Sequence, residues 1–255
     1  MSWLPTTGPV DGLWLLSGST AAAEMAAAAG FAWALIDLEH GQIDDGDALR
    51  LVQALSPTAT APIVRLSDAH SPLVYRLLDA GAAGLMAPRV DDAATATAFA
   101  AKLRYPPHGI RGVAPSCRAA DYGAHWSAYR PEADARVCGM VQIESAAAVA
   151  AADAIAATPG VDVLFIGHSD LGADLGDDAA ALARADVQVV AACRRHGKRA
   201  GLLLKAGRRV AEAHAAGFDV IALGSDLGCL QSDFARLRES WTRSLSNPIN
   251  KEITQ

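Results

Sequence analysis

One unit keeps recurring in this chain: an alanine-rich helical stretch stops at a glycine, and a short apolar run follows at once. Ala29-Gly30 precedes Phe31 to Ile36, Ala80-Gly81 precedes Gly84-Leu85-Met86, and Pro159-Gly160 precedes Val161 to Ile166. His196-Gly197 and Ala216-Gly217 lead in the same way into Ala200 to Leu204 and Phe218 to Leu223. Glycine just past a helix adopts the left-handed conformation that ends it without steric cost. Helix, glycine, strand is therefore the second half of a βαβ unit.

Counting the apolar runs gives eight candidate strands: Gly12–Ser17, Ala32–Asp37, Ala61–Leu66, Gly84–Val90, Val137–Ile143, Asp162–Gly167, Ala200–Leu204 and Asp219–Gly224. Helical stretches separate them, among them Asp45–Leu55, Pro72–Ala80, Ala93–Leu103, Ala146–Ala157, Ala180–Arg195 and Arg208–Ala216. Eight alternating units in 255 residues predict a single (β/α)8 barrel domain over the whole chain. A doubly wound open sheet would want Gly-x-Gly-x-x-Gly after its first strand, where this chain has Ser17-Gly18-Ser19-Thr20. The stretch from Tyr105 to Ala135, rich in proline, arginine and aromatics, is too long for a plain connection and reads as a functional loop over the barrel mouth.

Active sites of such barrels lie at the C-terminal ends of the strands, and here those ends are charged. The second strand runs into Asp37-Leu38-Glu39-His40-Gly41, the third ends at Arg65, the fifth at Glu144, the sixth at His168-Ser169-Asp170 and the seventh at Lys205. A carboxylate closing a buried, β-branched run is poorly explained by packing. Two successive strands ending in Glu144 and Asp170 can aim both at one point, where a divalent cation relieves their repulsion. The alternative is that both are N-cap or first-turn acids of the helices that follow.

A hydrophobic fraction of 51% at this length is enough for a large core. The formal net charge of −6, with no basic run, argues against a nucleic-acid partner. Cys117, Cys138, Cys193 and Cys229 are scattered without metal spacing and read as reduced packing residues of a cytoplasmic protein. The N-terminus lacks the basic-then-apolar pattern of a signal peptide. The apolar stretch from Ala21 to Ile36 is alanine-rich and broken by Glu24 and Gly30, so no membrane span is expected.

The segments Asp37-Leu-Glu-His-Gly41, Val64-Arg-Leu66, Arg104-Tyr-Pro-Pro-His-Gly-Ile-Arg-Gly112, Gln142-Ile-Glu-Ser145 and Phe165-Ile-Gly-His-Ser-Asp-Leu171 occur in this order. Together they resemble the HpcH/HpaI family of metal-dependent class II aldolases, and the likeness runs from about Gly12 to Asp226. The resemblance implies an aldehyde-lyase that reversibly cleaves 4-hydroxy-2-oxo acids to pyruvate or hydroxypyruvate plus an aldehyde, through an enolate stabilised by the metal. Glu144 and Asp170 match the two protein ligands of one divalent ion. Oxygen ligands and water suit Mg²⁺ or Mn²⁺, with Co²⁺ or Zn²⁺ as substitutes. Arg65 matches the arginine set against the keto oxygen, and His40 the general base, oriented by Asp37. Gly167 and Ser169 match the turn that holds the substrate carboxylate, and Trp14 the aromatic wall of the pocket.

Each of these residues also has an ordinary alternative: a salt bridge at the mouth for Arg65, a loop cap for His40, the core for Trp14. The sequence departs from the family pattern at His168, where proline is usual, and at Arg89, where an apolar residue is common. Both are expected to meet the aldehyde, Arg89 alternatively pairing at a subunit interface, while Arg118 matches an acceptor stretch more loosely. By resemblance the protein is a homo-oligomer, a hexamer that exchanges C-terminal helices, here Phe234 to Leu245. Three other readings stand beside the class II aldolase. One is a class I aldolase with Lys205 as Schiff-base nucleophile; the others are a CoA-ester lyase of the same superfamily and a barrel that binds an acid without turning it over.

Overall fold

The computed structural model describes residues 3–5, 7–204 and 209–246; Lys205, the residue of the class I reading, lies outside them. Eight parallel strands close into one barrel in sequence order. They are β1 Val10–Leu15, β2 Trp33–Asp37, β3 Ala61–Arg65, β4 Gly84–Ala87, β5 Cys138–Ile143, β6 Val163–Ile166, β7 Arg199–Leu203 and β8 Val220–Ser225. The surrounding helices are α1 Thr20–Ala28, α2 Asp45–Leu55, α3 Val74–Ala80, α4 Ala93–Leu103 and α5 Trp126–Arg136. They continue with α6 Ala146–Ala156, α7 His168–Asp174, α8 Ala179–Arg195, α9 Val210–Ala216 and α10 Asp226–Ser246. The (β/α)8 barrel is thus present, with β1 two residues earlier than its apolar run implied and β4 three residues shorter.

The helix boundaries follow from local chemistry. Asp44 caps α2 in a reciprocal box with Asp47, while Asp92, Ser145 and Asp178 cap α4, α6 and α8. Each turns an oxygen onto amides that have no partner within the helix. Gly81 and Gly217, at φ 105° and 102°, end α3 and α9.

Alternate strand residues point inward, and this two-residue phase builds both the core and the site. Trp33 and Leu35 of β2, Ala61 and Ile63 of β3, Cys138 and Met140 of β5, and Val163 and Phe165 of β6 pack inside the barrel. Their out-of-phase neighbours, such as Ile36, Val64, Val141 and Ile166, pack against the helices. Continued two residues toward the mouth, the inward phase arrives at Asp37, Arg65, Gln142 and Gly167, and then at Glu144. The floor of the mouth is therefore polar by the same geometry that makes the interior apolar.

The long segment between α4 and β5 does not cover the mouth of its own barrel. It connects a helix to the next strand, and such connections lie at the N-terminal ends of the strands. It packs there as a small cluster of Tyr105, Cys117, Ala120, Tyr129 and Ala133. The buried Arg111 ties it down: its Nη2 donates to Asp79 Oδ1 (2.8 Å) and to the Tyr129 hydroxyl (3.2 Å), and its guanidinium stacks 4.4 Å from the Tyr105 ring centre. Arg118 belongs to this end as well. Its Nη1 donates to Ser56 Oγ (2.9 Å) and to the Ala80 carbonyl (2.8 Å), at the C-terminal ends of α2 and α3. Within its own chain Arg118 thus braces two helix ends, away from the mouth.

Between β8 and β1 the buried Asp226 closes the mouth. Its carboxylate accepts from the amides of Leu16 (2.9 Å) and Ser17 (3.1 Å) and from the Ser17 hydroxyl (2.5 Å). From there α10 leaves the barrel, carrying Leu230, Phe234, Leu237 and Trp241 on one helical stripe, all exposed in the single chain. Cys117, Cys138 and Cys193 are buried free thiols and Cys229 is an exposed one. No described helix is long and apolar enough to cross a membrane.

Candidate active site

Arg65 is the centre of the mouth. The β2–β3 register sets it beside Asp37, whose carboxylate takes a forked pair of bonds from Arg65 Nε (2.9 Å) and Nη2 (2.5 Å). Arg65 Nη1 lies 2.8 Å from Glu39 Oε2 and 3.4 Å from Gln142 Oε1. The Trp14 ring lies 4.5 Å beneath the guanidinium carbon. A buried arginine needs this much compensation, because a charge taken out of water is tolerated only when paired and hydrogen-bonded. Salt bridge and site arginine, the two alternatives for Arg65, are here one arrangement: the ion pairs fix the direction in which the guanidinium faces.

Asp37 serves Arg65 and the backbone, not the His40 ring. It accepts from the amides of Glu39 (2.9 Å) and His40 (3.2 Å), which folds the loop after β2 into a tight turn. The expected pairing of Asp37 with the imidazole is corrected accordingly: Arg65, opposite in the register, takes the carboxylate instead. The His40 side chain is 66% exposed, and its Nε2 lies 3.9 Å from Glu39 Oε1.

Glu144 continues directly from β5 and is buried, whereas Asp170 sits in the first turn of α7 rather than at a strand end. Glu144 Oε2 accepts from the Arg89 amide at 3.0 Å. Gly167 lies against the other side of this carboxylate. A Cβ at that position would meet Glu144 Oε1 at 2.4 Å and Cγ at 2.6 Å, so only glycine leaves the side chain where it is. Burial, reinforced by repulsion from Glu39 and Asp170, pushes the Glu144 carboxyl up to about 7 against the pull of the Arg89 amide and Arg65. Burial raises Glu39 as well, with Arg65 opposing.

These carboxylates fit a divalent cation. Glu144 has one oxygen without a hydrogen bond among the described residues, and neither oxygen of Asp170 makes one there. The described residues gather no group of three or more His, Cys, Asp or Glu side chains around one point. Two carboxylates would therefore leave most of the coordination shell to water and substrate.

Trp14, His40, Arg65, Glu144, Gly167, Ser169 and Asp170 line one cavity of about 260 Å³. His168 borders it too, but its Nε2 is engaged 2.7 Å from Asp186 Oδ1 on α8. Its ring also meets Phe218 edge-on. The imidazole therefore anchors the first turn of α7 at the edge of the cavity. Arg89 is exposed at the rim with its backbone in the left-handed region at φ 51°. Glu39 and Gln142, each two residues from Asp37 or Glu144, join the site through Arg65, a part that the sequence alone does not mark.

Comparison with known proteins matches residues 11–232 to the family model HpcH/HpaI aldolase/citrate lyase. A hydroxypyruvate/pyruvate aldolase of Paraburkholderia phytofirmans is 40% identical over 240 residues, 89% of this chain and 90% of that protein. A 2-keto-3-deoxy-L-rhamnonate aldolase of Klebsiella pneumoniae is 39% identical over 84% of this chain and 82% of its own length. The crystal structure of an HpcH/HpaI aldolase/citrate lyase family protein from Burkholderia cenocepacia superposes with a TM-score of 0.85 at 36% identity, covering 91% of this chain and 95% of that one. With its charged residues gathered at one barrel mouth, this chain belongs to the HpcH/HpaI aldolase/citrate lyase family.

Proposed function

We propose that this family aldolase reversibly cleaves 4-hydroxy-2-oxo acids to pyruvate or hydroxypyruvate and an aldehyde, with a divalent ion, Mg²⁺ or Mn²⁺ by preference, held by Glu144 and Asp170. The observation that carries the reading is the fixed guanidinium of Arg65 facing the same cavity as two under-used carboxylates and an exposed imidazole. The substrate class is supported by the name of the Paraburkholderia relative, a hydroxypyruvate/pyruvate aldolase. A bound ion would supply Lewis-acid polarisation of the oxo-acid head.

This chain's own residues do the rest. Arg65, already held by Asp37 and Glu39, presents positive charge to the keto oxygen as negative charge develops there, without reorganising. His40 takes the proton of the 4-hydroxyl in the cleavage direction. The C3–C4 bond then breaks, the aldehyde departs, and the electron pair left on the oxo acid is quenched by a proton at C3. Run in reverse, His40 removes that C3 proton. Trp14 and Phe165 floor the cavity and keep bulk water off the guanidinium. Gly167 and Ser169 form the wall for the substrate carboxylate.

The α10 stripe is proposed to meet further copies of the chain in a homo-oligomer, a hexamer by family resemblance. Leu230, Phe234, Leu237 and Trp241, 45–64% exposed in the single chain, support this, because so continuous an apolar stripe calls for a partner.

Chelation tests the central reading. EDTA should abolish aldol cleavage and added Mn²⁺ or Mg²⁺ should restore it, with no adduct trapped by borohydride and pyruvate. Cleavage that survives EDTA together with a trapped Lys205 would overturn it in favour of the Schiff-base route.

A further inference from the structure

Glu144 and Asp170 border two cavities. Beyond the one that holds Arg65 lies a second, about 330 Å³, lined by Arg89, Asp91, Ser145 and Asp174, with the two carboxylates as its inner wall. Ala173 is the one apolar side chain of that lining. The turns after β4 and β5 and the helix α7 build it.

Its polar groups are placed but not exhausted. Asp91 Oδ1 accepts from the Ser145 hydroxyl (2.5 Å), and Asp174 Oδ2 from the Ala146 amide (2.7 Å), which leaves each acid one oxygen. The Arg89 backbone is held to Glu144, while its guanidinium makes no ion pair or hydrogen bond among the described residues. One cation unpaired among the described residues and two half-used carboxylates make a surface for several hydroxyl groups, which donate to the acids and accept from the arginine. An alkyl chain would leave these polar groups without partners. An anionic tail would gain Arg89 but face Asp91 and Asp174.

We infer that this second cavity is the acceptor subsite, and that Arg89, with Asp91 and Asp174, selects neutral hydroxyaldehydes over alkyl or carboxylate-bearing ones. The inference rests on the aldolase reading and gives it a substrate class.

The full-length protein with Mn²⁺ and pyruvate is assayed with acceptors matched in length: glycolaldehyde against acetaldehyde, and glyceraldehyde against propionaldehyde, with glyoxylate as the anion. The wild type should favour the hydroxylated member of each pair. Arg89→Met should lower that preference by about 10- to 100-fold, the range for losing a hydrogen bond to a charged group, mainly through KM for the aldehyde. Arg89→Lys should recover part of it. Asp91→Asn and Asp174→Asn should lower the preference and admit glyoxylate. An unchanged ratio in Arg89→Met overturns the inference, as does a wild-type preference for the alkyl aldehyde or for glyoxylate. Proton exchange of pyruvate by the wild type alone needs no aldehyde and separates the two failures. Exchange without acceptor preference sinks only the subsite, whereas absence of both exchange and addition sinks the aldolase reading itself.

Discussion

Gly167→Ala puts the geometry of the mouth to its strictest test, because it adds one methyl group and no charge. The backbone there, φ −85° and ψ 81°, is open to an L-residue, so the penalty is one of contact rather than strain. The new carbon would lie 2.4 Å from Glu144 Oε1, where ordinary contact begins at 3.4 Å. The carboxylate must therefore retreat by about 1 Å, since repulsion rises steeply inside contact distance. Glu144 is the end of a side chain and can swing, so the fold should lose only about 1–3 kcal/mol, as for a modest overpacking. The site should fare worse. A shift of that size typically costs about 10²-fold when groups must meet in register, and it draws the carboxylate off the Arg89 amide. Calorimetric titration with Mn²⁺ should show weakened binding, and pyruvate proton exchange should slow about 10²-fold, while the melting temperature falls by only about 2–4 °C per kcal/mol lost. Wild-type Mn²⁺ affinity together with wild-type exchange in Gly167→Ala would refute the placement of Glu144 as a ligand held by that contact.

The remaining expectations follow from the same contacts. Glu144→Ala and Asp170→Ala should each lose Mn²⁺ binding by calorimetry while circular dichroism stays native, because both residues lie above the packed interior; full occupancy in either would show the ligands misassigned. His40→Ala should slow pyruvate proton exchange by roughly 10²–10⁴-fold without weakening Mn²⁺, and exchange at the wild-type rate would identify another base. Asp37→Asn strips one partner from a buried pair, so denaturant unfolding should report a loss of roughly 3–5 kcal/mol; a neutral result would mean that Glu39 alone suffices for Arg65. In metal-free protein the Glu144 carboxyl, raised from 4.5 to about 7 chiefly by burial, favours the protonated fold. Its contribution to stability is complete below pH 4.5 and is lost as the pH rises through about 7. Melting curves should show that decline without metal and lose it in Glu144→Gln; the same decline in both proteins would assign it elsewhere.

Much of the site was legible in the order of residues, because the backbone imposes its periods locally. A strand alternates its faces every two residues whatever surrounds it, so the run from Trp33 through Leu35 to Asp37 already carries the inward phase that ends in a polar mouth. Helix, glycine, strand, repeated along the chain, leads to a closed parallel barrel for a similarly local reason. What the sequence by itself determined is therefore the fold and the set of side chains at one end of it. Partner choice was not legible, since it depends on register and on which helix lies behind which strand. Asp37 was matched to His40, three residues away, but the register sets it against Arg65, twenty-eight residues on. His168 borders the cavity, yet its Nε2 is engaged by Asp186, which α8 brings within 2.7 Å. The segment after α4 was expected over the mouth, yet a connection from helix to strand lies at the other end of the barrel, and Arg118 goes there with it. Only the tertiary structure decided these pairings, because a hydrogen bond between distant residues is set by how neighbouring elements align, and no local period encodes that alignment.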